Sequence, residues 1–262
     1  DFDFNATLGG NLYKVNNQTI VTTAKDMKIR DVVALMSFNE VSVEPYSYRK
    51  QINSVYGAVN LGWKHMLYFD ATLRGDQSST LPISNNMYIY PSFSGSFVFS
   101  ELLKLGDKLP YGKVRMSWAQ VGSDTDPYQL RLVYTKSKFA YPGYTIGYIS
   151  NGTIPNKDLK PTKTNSFEMG LELKFLKNRI GLDFTYYSQL SKNQIMGMAS
   201  SSTSGYGYRL INAGEIENKG VEIALNTRPI QTKDFSWDLN FNFSKNSNKV
   251  KKLVDDMDMF EL

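Results

Sequence analysis

Apolar and polar residues alternate along residues 166–187, SFEMGLELKFLKNRIGLDFTYY, and this alternation recurs through the chain. In the first arm, every second residue from Phe167 to Phe175 is apolar, and the residues between them are polar or glycine. The second arm repeats the pattern from Ile180 to Tyr187, after a turn at 176–179. A period of two is typical of β-strands with one apolar and one polar face. The segment therefore predicts a hairpin whose apolar face contacts either a protein core or lipid.

The same period predicts about nine strands, most of them about ten residues or longer. Seven are expected near 2–14, 52–63, 67–74, 92–99, 113–121, 166–175 and 180–187, and two more carry the alternating residues at 221–225 and 237–243. Such lengths exceed the usual five to six residues of globular strands. They match the roughly 9 to 11 residues that a tilted strand needs to cross a bilayer.

The links between these strands alternate between short and long. Short turns are predicted at 63–66, 176–179 and 227–234, and a moderate link with one helical turn at 100–112. Long links are predicted at 16–48, 75–90, 122–164, 193–211 and after 245. In an up-and-down sheet this places the short turns at one end and the long loops at the other, as in outer-membrane barrels.

Aromatic residues concentrate where strands meet links, as the interfacial girdles of a membrane barrel require. They are Trp63, Tyr68, Tyr90, Tyr186, Tyr187 and Trp237. The pattern favours an all-β fold, an antiparallel up-and-down transmembrane β-barrel. A soluble β-sandwich also alternates apolar and polar residues, and stays open as an alternative.

Composition narrows the function classes. The chain has no cysteine and a single histidine, His65 in a predicted tight turn, so catalytic triads and zinc sites have too few candidate residues. The net charge of +5 is interspersed along the strands rather than clustered, which argues against a nucleic-acid partner. The longest apolar run, residues 32–36, is far shorter than the ~20 residues of a membrane-spanning helix.

Five collinear stretches resemble the barrel of the SusC/RagA-type TonB-dependent transporters. They are residues 52–81, 90–103, 112–124, 155–187 and 212–253. The most specific pieces are the N-A-G-x-I-x-N-K-G-V-E run at 212–222 and the D-L-K-x-x-x-T run at 158–164. The sequence Lys160-Pro161-Thr162 replaces the tryptophan-glutamate-threonine that is more usual in the family.

The resemblance implies a gated importer in the outer membrane of a Gram-negative bacterium of the Bacteroidetes. Such a protein has about 22 strands around a plug and contacts membrane lipid. It takes up an oligosaccharide or peptide with a SusD-like surface lipoprotein, using energy from the TonB complex. Residues 1–262 are then expected to be one part of the barrel domain, with the plug, the N-terminus and the C-terminal strands outside it. A passive porin, an adhesin barrel and a soluble binding module are the alternatives.

Two sets of candidate residues follow. Polar strand residues are expected to face the barrel lumen, namely Asp70, Arg74, Arg115, Gln120, Glu168, Glu172 and Asp183. Tyrosines of the longest link offer aromatic faces for a sugar or a lid, or pack the loop against itself, namely Tyr128, Tyr134, Tyr141, Tyr144 and Tyr148. Paired strand carboxylates are expected to face the lumen rather than to catalyse glycoside hydrolysis. The sequence predicts no enzyme activity, no metal site and no cofactor.

Overall fold

A computed structural model describes residues 1–262 apart from 105, 137–143, 145, 150–151 and 254–262. Twelve strands are present in these ranges: β1 Phe2–Met27, β2 Phe38–Trp63, β3 Leu67–Ser78, β4 Met87–Val98, β5 Tyr111–Ser123, β6 Tyr134–Lys136, β7 Gly147–Ile149, β8 Thr153–Ile154, β9 Thr162–Phe175, β10 Ile180–Ala199, β11 Tyr208–Gln231 and β12 Ser236–Lys252. One helical turn, α1 (Ser100–Leu103), and 3-10 turns at Leu35–Ser37, Gly106–Lys108 and Ser202–Ser204 complete the elements.

Nine long strands form one sheet in the order β1-β2-β3-β4-β5-β9-β10-β11-β12. Each pairs antiparallel with its neighbour in this order. β8 adds a short parallel pair to β11, and β6 pairs with β7 in a separate two-stranded sheet. The predicted antiparallel up-and-down topology is confirmed. Over the described residues no second large sheet covers the first, so the soluble sandwich alternative is wrong.

Several strands extend well beyond their predicted ends. β1 and β2 are each 26 residues long and stay in register from Phe2↔Trp63 to Met27↔Phe38, so most of the link predicted at 16–48 is strand. β10 and β11 likewise continue through much of 193–211, and β12 continues to Lys252. The reason is backbone pairing. In these extensions the side chains need not alternate, but the hydrogen-bonded ladder continues to satisfy each peptide group.

The turns at one end of the sheet are tight, as predicted. Leu176, Lys177 and Asn178 all have positive φ between β9 and β10, and Lys64 and His65 have positive φ between β2 and β3. The predicted helical turn between β4 and β5 is α1. None of the helices within the described ranges has the length and apolar character to cross a membrane. At the other end, the long loop (residues 124–161) joins β5 to β9.

The register defines two faces of the sheet. Leu171 of β9 lies opposite Val114 of β5 and Phe184 of β10, whereas Glu172 lies opposite Lys113 and Asp183. We call these the apolar face and the polar face. Large side chains of the apolar face stay exposed in the described chain, such as Phe69, Leu73, Phe93, Met116, Trp118 and Met169.

The one cluster of buried apolar residues in the described chain lies at the long-loop end. It consists of Leu81, Tyr88, Leu159 and Leu210, with Tyr90, Leu130 and Ile195 packed against it. These residues come from β4, β10, β11, the long loop and the 79–86 loop. The cluster therefore joins loops to strand ends and is not a core between two layers.

Candidate functional site

Arg115 forms the best-connected charge cluster of the polar face. Its Nη2 lies 2.8 Å from Asp183 Oδ1 and 2.7 Å from Thr185 Oγ1, and its Nη1 lies 3.2 Å from Asp183 Oδ2. Glu168 lies 4.0 Å from its Nε. The forked pairing fixes the guanidinium plane. Because Arg115 is 30% and Asp183 38% exposed, solvent screens the pair and its net contribution to stability is at most about 1 kcal/mol.

Gly170 makes this pairing possible. Arg115 and Asp183 belong to β5 and β10, which are separated by β9, and the register places Gly170 directly between Arg115 and Thr185. A Cβ atom at Gly170 would overlap the Arg115 side chain. Glycine in a strand often marks such a close approach. The Arg115 side chain therefore lies flat across β9 over a position that only glycine leaves open.

Arg74 belongs to a second polar cluster, nearer the long loops. Its Nε lies 2.9 Å from Asp76 Oδ1, its Nη2 donates to Ser54 Oγ at 3.0 Å, and its guanidinium carbon lies 6.0 Å from the centre of the Tyr56 ring. The Tyr90 hydroxyl donates to the other oxygen of Asp76. Asp76 is only 6% exposed and is fully engaged, so it is a structural anchor for Arg74.

The remaining predicted polar residues are placed as follows. Asp70 accepts hydrogen bonds from the Asn60 side-chain amide at 2.6 Å and from Ser94 Oγ at 2.9 Å, both on neighbouring strands. Glu172 lies 3.8 Å from Lys174 Nζ. Asp70, Arg74, Arg115, Glu168, Glu172 and Asp183 therefore share the polar face.

Gln120 is a correction. It is an even-numbered residue of β5, in the row of Met116 and Trp118, whereas Arg115 is in the odd row. Its side-chain amide donates to Asn165 of β9 at 2.9 Å. Strict alternation along β5 places Gln120 on the face opposite to Arg115. The expectation that it joins the lumen-facing set is wrong, and the odd spacing between the two residues already carried that signal.

The predicted tyrosines do not form one surface. The Tyr128 hydroxyl accepts the Arg49 backbone N–H at 3.1 Å, so this ring ties the long loop to β2. Tyr134 lies opposite Ile149, and Tyr148 lies opposite the next residue along β6, so the two rings leave opposite faces of that small hairpin. Tyr134 and Tyr144 are 79% and 74% exposed. Tyr141 lies outside the described residues.

Asn212 connects the two motif runs on which the family resemblance rests. Its side-chain amide donates to the Lys160 carbonyl oxygen at 2.7 Å, and its own side-chain oxygen accepts the Lys160 N–H at 2.7 Å. The amide also reaches the Asn193 carbonyl oxygen at 3.1 Å. Next to Lys160, Leu159 is fully buried. These contacts bind the end of the long loop that leads into β9 to the extensions of β10 and β11. Sequence analysis did not find this role of Asn212.

Asp124 anchors the opposite end of the long loop and was also missed. Its carboxylate lies 2.7 Å from Lys50 Nζ and accepts hydrogen bonds from Ser78 Oγ at 2.5 Å and Thr80 Oγ1 at 3.1 Å. Ser78 and Thr80 are buried. The sequence shows only that Asp124 is a polar residue directly after a strand. Its partners lie more than 40 residues away in the chain, so no local pattern identifies them. The described residues contain no group of acidic or histidine side chains arranged to hold a metal ion.

One continuous antiparallel sheet with an exposed apolar face and a bonded polar face defines a segment of a membrane β-barrel wall. A family model described as the TonB dependent receptor-like β-barrel matches residues 1–257. The chain belongs to this family of outer-membrane β-barrels.

Named relatives agree with that membership. TonB-dependent receptor P3 of Formosa agariphila is 30% identical over 97% of this chain and 26% of the relative. TonB-dependent receptor SusC of Bacteroides thetaiotaomicron is 30% identical over 82% of this chain and 22% of the relative. The resemblance to SusC/RagA-type receptors is therefore confirmed. The chain spans about a quarter of the length of these relatives.

A solved structure agrees in fold. The structure of the RagAB peptide transporter aligns with this chain with a TM-score of 0.89 and 22% sequence identity. The alignment covers 100% of this chain and 29% of the transporter chain. At this identity the match shows the fold alone. The outer membrane is the location typical of the whole family, and the exposed apolar face fits a lipid environment.

Proposed function

We propose that this chain is part of the barrel wall of an outer-membrane, TonB-dependent importer of a nutrient, either an oligosaccharide or a peptide. A SusD-like lipoprotein is the proposed surface partner, and the TonB complex acts through other parts of the protein. The observation that carries the proposal is the sheet itself: nine long antiparallel strands, exposed apolar residues on one face and the barrel-family match over nearly the whole chain.

The polar face is the proposed lumen wall. Charges on the lipid side of a barrel near the bilayer midplane cost about 2 to 4 kcal/mol each for Lys or Arg, whereas charges facing the lumen are tolerated. The cluster of Arg115, Glu168 and Asp183 lies on the face opposite to Leu171. Residues 1–262 are then one part of a barrel of about 22 strands, whose plug and further strands lie elsewhere in the protein.

The long loop is the proposed contact for substrate or lid. Tyr134 and Tyr144 are its most exposed described tyrosines, and aromatic faces stack on sugar rings and pack at protein interfaces. Tyr128 is better placed to hold the loop in position, because its hydroxyl is already bonded to β2. Asp124 and Asn212 fix the two ends from which the loop projects.

No covalent chemistry is proposed for this part of the protein. The absence of cysteine and the single histidine, which lies in the turn between β2 and β3, support a transport role rather than an enzymatic one. The alternative of a passive porin or an adhesin differs in one measurable property. A passive barrel needs neither TonB nor an energised inner membrane.

The test is uptake in a Bacteroidetes host that carries the full-length gene. The strain should be grown on single oligosaccharides or peptides, with the gene intact or deleted, and with TonB intact or disrupted. The proposal expects one nutrient class to require both the gene and TonB, and expects a surface lipoprotein to co-purify with the barrel. Growth that depends on the gene but not on TonB would favour the passive barrel, and growth that needs neither would contradict import.

A further inference from the structure

The C-terminal part of β12 carries lysines on the same face as its apolar residues. Trp237, Leu239, Phe241 and Phe243 form the apolar row, which covers ~20 Å along the strand at ~3.4 Å per residue. The next members of the row include Lys245 and Lys249, and Lys251 follows at a β-bulge, where its side chain contacts Glu217. The sequence pattern alone is that of a solvated loop, but the residues to Lys252 are a strand. The lysines therefore follow directly above the proposed lipid-facing band.

The same change from apolar to basic residues occurs on the neighbouring strands. On β11 the apolar row ends at Val221 and Lys219 follows, and on β10 it ends at Leu190 and Lys192 follows. Val221 pairs with Lys245, so the boundary lies higher on β11 than on β12. Such a stepwise shift is expected where a flat membrane surface crosses tilted strands. With Lys163 of β9, these lysines form what we call the basic belt: Lys163, Lys192, Lys219, Lys245, Lys249 and Lys251.

The belt carries excess positive charge. Its acidic neighbours on the same face are Glu215 and Glu217. Lys192 lies 3.1 Å from Glu215, and both Lys219 at 2.7 Å and Lys251 at 3.0 Å contact Glu217. Six lysines face two glutamates, which leaves four positive charges in excess.

Three lysines of the belt have no ion pair with any described residue. They are Lys163, Lys245 and Lys249, and all three are exposed.

One cross-strand pair also favours an external anion. Lys163 of β9 lies directly opposite Lys192 of β10 in the antiparallel register. Like charges directly opposite each other destabilise a sheet pair. Glu215 contacts Lys192, and Lys163 has no ion-pair partner among the residues that the structure describes. A bound anion beside Lys163 would remove this repulsion.

We propose that the basic belt binds the phosphate groups of a phosphorylated outer-leaflet glycolipid, whose acyl chains lie on the apolar row from Trp237 to Phe243. Both the positive charge of the belt and its position directly above the apolar row favour this ligand. An amphiphile with an anionic headgroup matches both the lysines and the apolar residues directly below them, whereas a soluble anion matches only the lysines. The assignment to the outer leaflet rests on the proposed function, because it uses the orientation with long loops outside the cell.

The test uses the full-length protein, purified in detergent, with three lysines replaced that make no ion pair in the described chain: Lys163→Gln, Lys245→Gln and Lys249→Gln together. Native mass spectrometry would measure the dissociation constant for bisphosphorylated lipid A. Each lysine near an anionic headgroup contributes about fivefold in affinity, so the triple variant should bind at least tenfold more weakly. Arginine at the same three positions should retain binding.

The control replaces three lysines at the short-turn end: Lys64→Gln, Lys108→Gln and Lys233→Gln. It has the same change in net charge and should bind lipid A within about twofold of the unchanged protein. Lipid A treated with phosphatase should bind weakly to every variant, and millimolar inorganic phosphate should not compete. Equal losses in the two triple variants, phosphate-independent binding, or displacement by inorganic phosphate would each overturn the proposal.

If the variant with three glutamines does not assemble, the single variants Lys245→Gln and Lys249→Gln test the same proposal. Each should bind lipid A about fivefold more weakly. Binding is measured on the purified protein without any uptake assay. Failure of the lipid proposal is thus distinguishable from failure of the transport proposal.

Discussion

Leu171→Arg is the substitution that tests the two-faced sheet most severely. The apolar row of β9 runs from Phe167 to Phe175, which is ~27 Å along the strand at ~3.4 Å per residue. With a tilt of about 40° its height is ~20 Å, close to the ~25 Å apolar band of outer-membrane barrels. Leu171 lies at the centre of this row. Arginine there should destabilise the assembled protein by roughly 2 to 4 kcal/mol.

The measurement is a urea titration of the full-length protein in lipid vesicles, read from the heat-dependent mobility of the folded barrel on gels. Glu172→Arg is the matched control, because it introduces the same side chain one residue away on the polar face. Within the described chain Glu172 makes one ion pair, the 3.8 Å contact to Lys174, so the loss of this pair should cost less than about 1 kcal/mol. Equal destabilisation by the two variants would refute the assignment of the faces.

Three further substitutions test individual contacts. Gly170→Ala places a Cβ in the path of Arg115, and it should lower the unfolding free energy by up to about 1 kcal/mol in the same titration. Asn212→Ala removes both hydrogen bonds to the Lys160 backbone, which should lower the free energy of local opening by about 1 to 3 kcal/mol. Amide hydrogen exchange near residue 160 should therefore become faster. Asp124→Asn removes the carboxylate that binds Ser78 and Thr80, and proteolysis within 79–86 should become faster.

Each of these has a control and a contradicting result. For Gly170→Ala, the same substitution at Gly181, where an added Cβ has only ordinary contacts, should be nearly neutral. Unchanged exchange near residue 160 in Asn212→Ala would show that buried Leu159 alone holds the loop. Asp126→Asn is the control for Asp124→Asn, because Asp126 lies two residues away and does not make the hydrogen bonds of Asp124. Equal rates of proteolysis in the two variants would contradict the anchoring role of Asp124.

Period-two alternation predicted the strands of this fold because one face of the sheet is apolar along most of each strand. The ends were less predictable. The residues of β1 and β2 beyond about Lys14 and Gln51 are mostly polar and β-branched, and no lipid requires them to alternate. Their pairing is a backbone effect with little side-chain signal, so sequence patterns assigned them to a loop.

The candidate site was predictable in part. The shared face of Arg115 and Asp183 follows from alternation within each strand, but their contact requires the register of β5, β9 and β10 and the gap at Gly170. The anchors of the long loop, Asp124 and Asn212, depend on partners far away in the chain, so no local pattern indicates them.

The central claim is that the apolar face contacts lipid and the polar face lines an aqueous or protein-filled lumen. Residues 1–262 contain no cysteine, so once any cysteine elsewhere in the full-length protein is replaced, single cysteines at 168, 169, 171 and 172 can each carry a spin label without background. In lipid vesicles the account predicts that labels at 169 and 171 collide with dissolved oxygen and are shielded from a water-soluble nickel chelate. Labels at 168 and 172 should be shielded from oxygen. Accessibility that does not alternate along β9, or alternates with the opposite phase, would contradict it.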